Sequence, residues 1–282
     1  MTAVTDRPRR VTGGRLLLYG FLISLLLVFA LPLLWALSSS FKSRSDIFSY
    51  PPQPLPAPAV LDNYRTLLAE QPFWSWFVTS TVVALLSTVL AVGLCSLAGF
   101  AFAKYRFRGK TILFNIMFSS LAVPFAVIVV PLFIMIAKAR LTEPYFALVV
   151  PWIAPAFGIF MMRQFAEQAV PDALLDAARM DGCTEFGLFR RVVLPLLRPA
   201  LGALGVWSFL NSYNSLIWPL IVISEPGDYT LPLGIQALFG ATGRQYDLVL
   251  AGSVLAAVPS LLVFFLLRRQ LLEGLAAGAV KS

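Results

Sequence analysis

Asn211, Asn214 and Trp218 stand in a stretch, residues 199–224, that carries no charged side chain. Positions three and four apart share a face of a helix, so the two amides and the indole are expected to form one polar stripe. Amides hydrogen-bond hydroxyl groups, and an indole stacks on an apolar ring face. The same stripe could instead tie neighbouring helices together, a task that Asn performs well in membranes. Just upstream, the segment PDALLDAARMDGCTEFGLFRRVVLPLLRP, residues 171–199, gathers Asp172, Asp176, Asp181 and Glu185. Other reactive chemistry is scarce. The chain has no His, and its two cysteines, Cys95 and Cys183, fall in different kinds of segment, so neither a disulfide nor a metal site is expected. No phosphate-binding G-x-x-x-x-G-K-[ST] occurs, so ATP binding by this chain alone is not expected. The carboxylates are scattered, which argues against an integral-membrane enzyme.

The elements that must position these residues follow from charge segregation. The chain has 282 residues, 59% of them hydrophobic and only 13% charged, where a soluble domain carries roughly a quarter charged residues. Six runs contain no Asp, Glu, Lys or Arg: 16–41, 71–103, 111–137, 144–162, 199–224 and 248–267. A bilayer crossing takes about 20 apolar residues as helix, and a charge left at mid-membrane costs at least about 2.5 kcal/mol. The expected fold is therefore all-α, with six transmembrane helices. The boundaries are a tail over 1–15, a transmembrane domain over 16–268 with an insert at 163–198 between helices 4 and 5, and a tail over 269–282. The first run is too long for a signal-peptide core and is read as a retained helix.

Lys and Arg set the expected orientation. With the N-terminus inside, the inner segments hold 16 of the 22 basic residues and the outer segments 6. Both termini are accordingly expected in the cytoplasm. The positive net charge reflects this topology, and KYRFRGK at 104–110 reads as a turn between spans, with no nucleic-acid site. An ion-coupled secondary transporter, the alternative, normally needs an ionisable group inside the membrane. No run supplies one, and the two halves of the chain do not resemble each other.

The insert reads as two short helices. Pro171 suits a first turn, and Asp172 and Asp176 favour the positive end of the helix dipole. Ala177 and Ala178 offer a small-residue face, Asp181 lies on the Ala173–Ala177 stripe, and Gly182 supplies a left-handed terminator. Thr184 can cap a second helix through Phe186, Phe189 and Val192, ending near Leu194-Pro195. Elsewhere, five prolines between Pro51 and Pro58 favour an extended loop, read chiefly as a stiff spacer. Trp74, Trp76 and Phe77 are expected at the outer membrane interface. Gly93, Ser96, Ala98, Gly99 and Ala101 should permit close helix packing. Pro124, Pro131, Pro151 and Pro155 should kink or break their spans.

The insert resembles the cytoplasmic coupling motif of ABC-importer permeases: Glu-Ala-Ala, three residues, Gly, nine residues, Ile, one residue, Leu-Pro. Here Asp176-Ala177-Ala178, Gly182, Val192 and Leu194-Pro195 keep every spacing, with Asp for Glu and Val for Ile. SFKSRSDIF after run one, DNYRTLL before run two, NSYNSLIWPLIV in run five and GLAAGAVKS at the C-terminus are similar to the carbohydrate-uptake, maltose-type branch. The resemblance implies a non-catalytic permease subunit without cofactor or metal, in the cell membrane of a prokaryote. It further implies a second permease subunit in a heterodimer, two cytoplasmic ATPase subunits, an extracytoplasmic solute-binding protein and surrounding membrane lipid. Asp176, Ala177, Ala178, Asp181 and Gly182 would engage the ATPase. Asn211, Asn214 and Trp218 would line the pathway of a sugar or polyol. The charge-free runs favour a neutral solute.

Overall fold

The computed structural model describes residues 13–240 and 245–279, with side chains described as far as Gln270. Most of the expected tail at 1–15 and the C-terminal end of GLAAGAVKS lie outside the described residues. Among the described residues every regular element is helical. The long helices are α1 (Gly13–Ser39), α3 (Phe73–Lys104) and α14 (Tyr246–Ala279). Between α1 and α3 lies the short α2 (Asp62–Glu70), and α4 (Lys110–Ser119) follows α3. Then come α5 (Phe125–Lys138), α6 (Pro144–Val149) and α7 (Ala156–Ala169). The insert contributes α8 (Asp172–Met180), α9 (Glu185–Leu188) and α10 (Leu194–Leu196). The chain continues through α11 (Arg198–Tyr213), α12 (Ile217–Val222) and α13 (Leu231–Ala237).

Three helices are each long and apolar enough to cross a membrane unbroken: Gly14–Ser39, Phe73–Lys104 and Tyr246–Gln270. The third and fourth runs are bent beside prolines, where proline removes a backbone donor and crowds the preceding turn, and the fifth is interrupted. The third run turns by 114° between Ala122 and Phe125, at Pro124. The fourth turns by 42° between Trp152 and Ala156, beside Pro151 and Pro155. The fifth stops at Tyr213 and resumes at Ile217 as α12.

At the centre α3 packs against α7 and α11, and α11 packs in turn on α14. Small residues make the first approach possible. A Cβ built on Gly99 would lie 2.6 Å from the Met162 Cβ and 2.7 Å from the Arg163 nitrogen, so the two helices touch backbone to backbone there. Gly93, by contrast, meets nothing within 4 Å. The first helix packs on α14 and is otherwise exposed over nearly all its length. A helix that is apolar on every side and so little covered belongs in lipid or against another apolar chain.

Two expectations are corrected here. Trp76 is not an interface anchor. It is 2% exposed, its indole N–H donates to the Pro226 carbonyl at 2.8 Å, and its ring sits on Gly234, where any Cβ would collide with it. Only Trp74 of that pair is exposed. Nor is the proline-rich loop a free spacer. Ser38 Oγ donates to the Pro54 carbonyl at 2.5 Å, and the Val60 N–H to Phe41 at 2.8 Å, so the loop folds back on the end of α1. Lys42, 2% exposed, donates to the Gln53 carbonyl at 2.6 Å and lies 4.4 Å from the centre of the Trp35 ring. Asn63 closes the joint by donating to the carbonyls of Ser40 and Lys42 at 2.8 and 2.9 Å. The SFKSRSDIF and DNYRTLL pieces, apart in sequence, thus form one structural unit.

Candidate functional site

The segment 171–199 folds as two helices around a left-handed glycine. Asp172 occupies the first turn of α8 and Arg179 the last, each complementing the helix dipole. Beyond the last turn, the Cys183 N–H reaches the Ala178 carbonyl and the Gly182 N–H the Arg179 carbonyl, both at 3.0 Å. That pair of bonds requires a positive φ at the residue after the cap, and Gly182 has φ +81°. Thr184 then caps α9, its hydroxyl oxygen accepting from the Gly187 N–H at 3.1 Å. Residues Phe189–Val193 form a turn of π-helix just ahead of Pro195, which cannot donate to the preceding turn. An 82° elbow separates Glu185–Leu196 from α11.

The structure divides the motif residues. Asp176, Ala177, Asp181 and Gly182 are exposed, whereas Ala178 is buried with Leu175 among Phe100, Leu188 and Phe189. The expected Ala177–Ala178 face is therefore split, because the i, i+3 pair Leu175 and Ala178 turns to the core. The outward surface of the insert carries Leu174, Met180 and Phe186 as well, with Met180 88% exposed.

An ionic network that sequence inspection missed joins this segment to the end of α3. Lys104 Nζ donates to Asp172 Oδ1 at 2.8 Å. The neighbouring Tyr105 hydroxyl donates to Glu185 Oε2. Arg179 spans the two insert helices, donating to Glu185 Oε1 from Nε at 2.9 Å and to Asp176 Oδ1 from Nη1 at 3.2 Å. The Lys104 ammonium, by hydrogen bond and then by charge, holds the Asp172 carboxyl below its usual range. Arg179, and after it Tyr105, does the same for Glu185. Partial burial, followed by the Glu185 carboxylate, raises the Tyr105 phenol. The signal in sequence was KYRFRGK itself, a basic turn facing an acidic insert on the same side of the expected membrane.

The polar stripe of the fifth run does not survive as one face. Asn211 lies on α11 and Asn214 at its end, both exposed, and their amides donate back to the carbonyls of Trp207 and Leu210 at 2.8 and 2.9 Å. Each carbonyl oxygen and one N–H stay available. Trp218 is fully buried on α12, its indole N–H donating to the Ala147 carbonyl at 2.8 Å. Because the helix breaks between Tyr213 and Ile217, helical spacing does not carry across. In this conformation the indole offers no stacking face to a solute. Among the described residues, no three His, Cys, Asp or Glu side chains converge as a metal site would require.

Comparison with known proteins places this geometry. The sequence profile described as "Binding-protein-dependent transport system inner membrane component" matches residues 91–271, which take in the end of α3, α4 to α13 and most of α14. The chain is similar to the arabinooligosaccharides transport system permease protein of Halalkalibacterium halodurans, with 36% identity over 271 residues, 95% of this chain and 96% of that one. It is also 35% identical to the lactose transport system permease protein of Rhizobium radiobacter, over 79% of this chain and 81% of that one. The fold is shared with a chain in the crystal structure of a bacterial ABC transporter involved in the import of the acidic polysaccharide alginate. That match has a TM-score of 0.78 at 19% identity and covers 95% of this chain and 99% of the other.

Proposed function

This chain belongs to the family of inner-membrane components of binding-protein-dependent transport systems, and on that footing we propose that it is the permease subunit of an ATP-driven importer for a sugar or polyol. The observation that carries this reading is the insert: an exposed helix with a left-handed glycine cap, inside the matched region, on a chain with no nucleotide motif of its own. Energy then comes from two separate cytoplasmic ATPase subunits. The exposed surface of α8, with Asp176, Ala177, Asp181, Gly182 and Met180, is their docking site. Ala178 serves from beneath by packing α8 onto α9. The chain does no covalent chemistry and needs no cofactor or metal.

In this reading the domain 16–268 crosses the membrane six times, with the bent third and fourth runs and the fifth run, broken between α11 and α12, each counted as one crossing. Both tails and the insert at 163–198 lie on the cytoplasmic side, as the distribution of Lys and Arg supports. A second permease subunit completes a heterodimer and a solute-binding protein delivers cargo from outside. The two permease relatives, named for the transport of arabinooligosaccharides and lactose, support a neutral carbohydrate. Asn211 and Asn214 offer free amide atoms for its hydroxyls. Trp218 contributes by fixing α12 to α6, and lines the pathway only if α12 moves away from Ala147. Movement of the ATPase pair reaches the spans as rigid-body rotation, giving alternating access.

Co-purification of the complex, followed by ATP hydrolysis in the presence of binding protein loaded with arabino-oligosaccharide, lactose or other sugars, tests this. Stimulation by a loaded binding protein is expected. A purified chain that never retains an ATPase subunit contradicts the reading.

A further inference from the structure

Lys104 and Tyr105 are adjacent residues at the end of α3, and each holds the first residue of a different insert helix. Lys104 binds Asp172, which begins α8, and Tyr105 binds Glu185, which begins α9. Arg179 joins the two attachment points by bonding Glu185 from the last turn of α8. The Lys104 side chain is only 10% exposed, so its ammonium emerges at one place and meets one carboxylate. The Tyr105 ring is fixed edge-on to Phe100 at 5.4 Å, and Phe100 packs on Phe189 of the insert at 5.7 Å. By covalent connection the insert belongs to α7 and α11. The network attaches it instead to α3, about 70 residues earlier in the chain.

We propose that Lys104 and Tyr105 are positioning residues of the importer, forming a two-point clasp that makes the insert and α3 move as one body when the ATPase subunits close. This rests on the permease reading above. The consequence is directional. A displacement of α8 is delivered to α3, the helix against which α7 and α11 both pack, and not only to the helices on either side of the insert. The Phe100–Phe189 contact is apolar and fixes no direction by itself, and one polar attachment would tether the start of only one insert helix. Two attachments at adjacent residues, bridged by Arg179, tether the starts of both.

The test uses the full complex with its ATPase subunits in lipid nanodiscs, with Cys95 and Cys183 replaced by Ser and spin labels at Arg190→Cys in the insert, which is not one of the docking residues named above, and Arg108→Cys just past α3. Both label sites are exposed. The probe is MgATP with vanadate. With the clasp intact, the distance between labels is narrow and unchanged on trapping. Lys104→Ala with Tyr105→Phe is expected to retain the ATPase subunits, to shift and broaden that distance on trapping, and to change MgATP hydrolysis by about two- to fivefold, the range of exposed ion pairs. Exchanging the charges, Lys104→Asp with Asp172→Lys, should restore the narrow distance where either change alone does not. An intact clasp whose label distance shifts on trapping as much as in the variant overturns the proposal, as does an exchange that rescues nothing. If the unmodified chain retains no ATPase subunit, the permease reading falls and this inference with it.

Discussion

The indole N–H of Trp218 and the carbonyl of Ala147 lie 2.8 Å apart, and both residues are buried. This bond joins α12, which follows the break in the fifth run, to α6 of the fourth run. Trp218→Phe keeps most of the ring but leaves the Ala147 carbonyl unsatisfied, at a cost of about 1–3 kcal/mol. Trp218→Ala adds a cavity and should cost about 3–5 kcal/mol. Thermal melting of the purified complex reads both. Transport per assembled complex should change little in the Phe variant.

Asn211 and Asn214 make the opposite prediction. Both are exposed and bond only to their own helix, so alanine there removes nothing that another element needs. If they meet solute hydroxyls, each substitution should cost about 0.5–1.5 kcal/mol in apparent affinity, a several-fold effect, with assembly and melting unchanged. A drop in assembly instead would show that they bind a neighbouring helix.

Gly182 should be intolerant of β-branching for a reason other than space. No atom lies within 4 Å of a Cβ built there, but its φ is +81°. Left-handed backbone costs an ordinary residue about 1–2 kcal/mol. Gly182→Val is therefore expected to loosen the turn between α8 and α9 and lower ATPase retention, while insertion in the membrane persists. Gly182→Asn should be milder, since Asn accepts this conformation more readily. Quantifying ATPase subunit per permease after purification separates the two variants.

The hold of the insert on α3 should be confined to a pH window. Asp172 and Glu185 have carboxyl pKa values lowered from 3.8 and 4.5, so their contribution is complete above those values and lost as pH falls below them. Tyr105 is raised from 10.0, so its contribution is complete below pH 10 and lost as pH rises through the folded value. Hydrogen exchange or limited proteolysis of residues 171–188 should show protection between about pH 5 and 10 and loss of it on either side.

Much of this was legible in the sequence, and the gaps have a common cause. Charge-free runs, prolines and capping residues are local signals. The bend at Pro124, the positive φ at Gly182 and the Thr184 cap follow from local chemistry and appear as expected. What escaped depends on contacts far apart in the chain. Trp76 looked like an interface anchor because its partners, Pro226 and Gly234, lie about 150 residues away. Trp218 looked continuous with Asn214 because helical periodicity assumes an unbroken helix. Tyr105 and Arg179 drew no attention singly, since a lone Tyr and a lone Arg become a network only when α3 ends beside the insert.

The central claim is that the surface of α8 meets an ATPase subunit in the cytoplasm. A photo-crosslinking residue placed at Met180, 88% exposed, and in a separate chain at Leu55, 72% exposed in the proline-rich loop, tests it in intact cells. The account predicts an adduct with the mass of the ATPase subunit from position 180 and none from position 55. An ATPase adduct from position 55, or its absence from position 180 in complexes that retain the subunit, would contradict it.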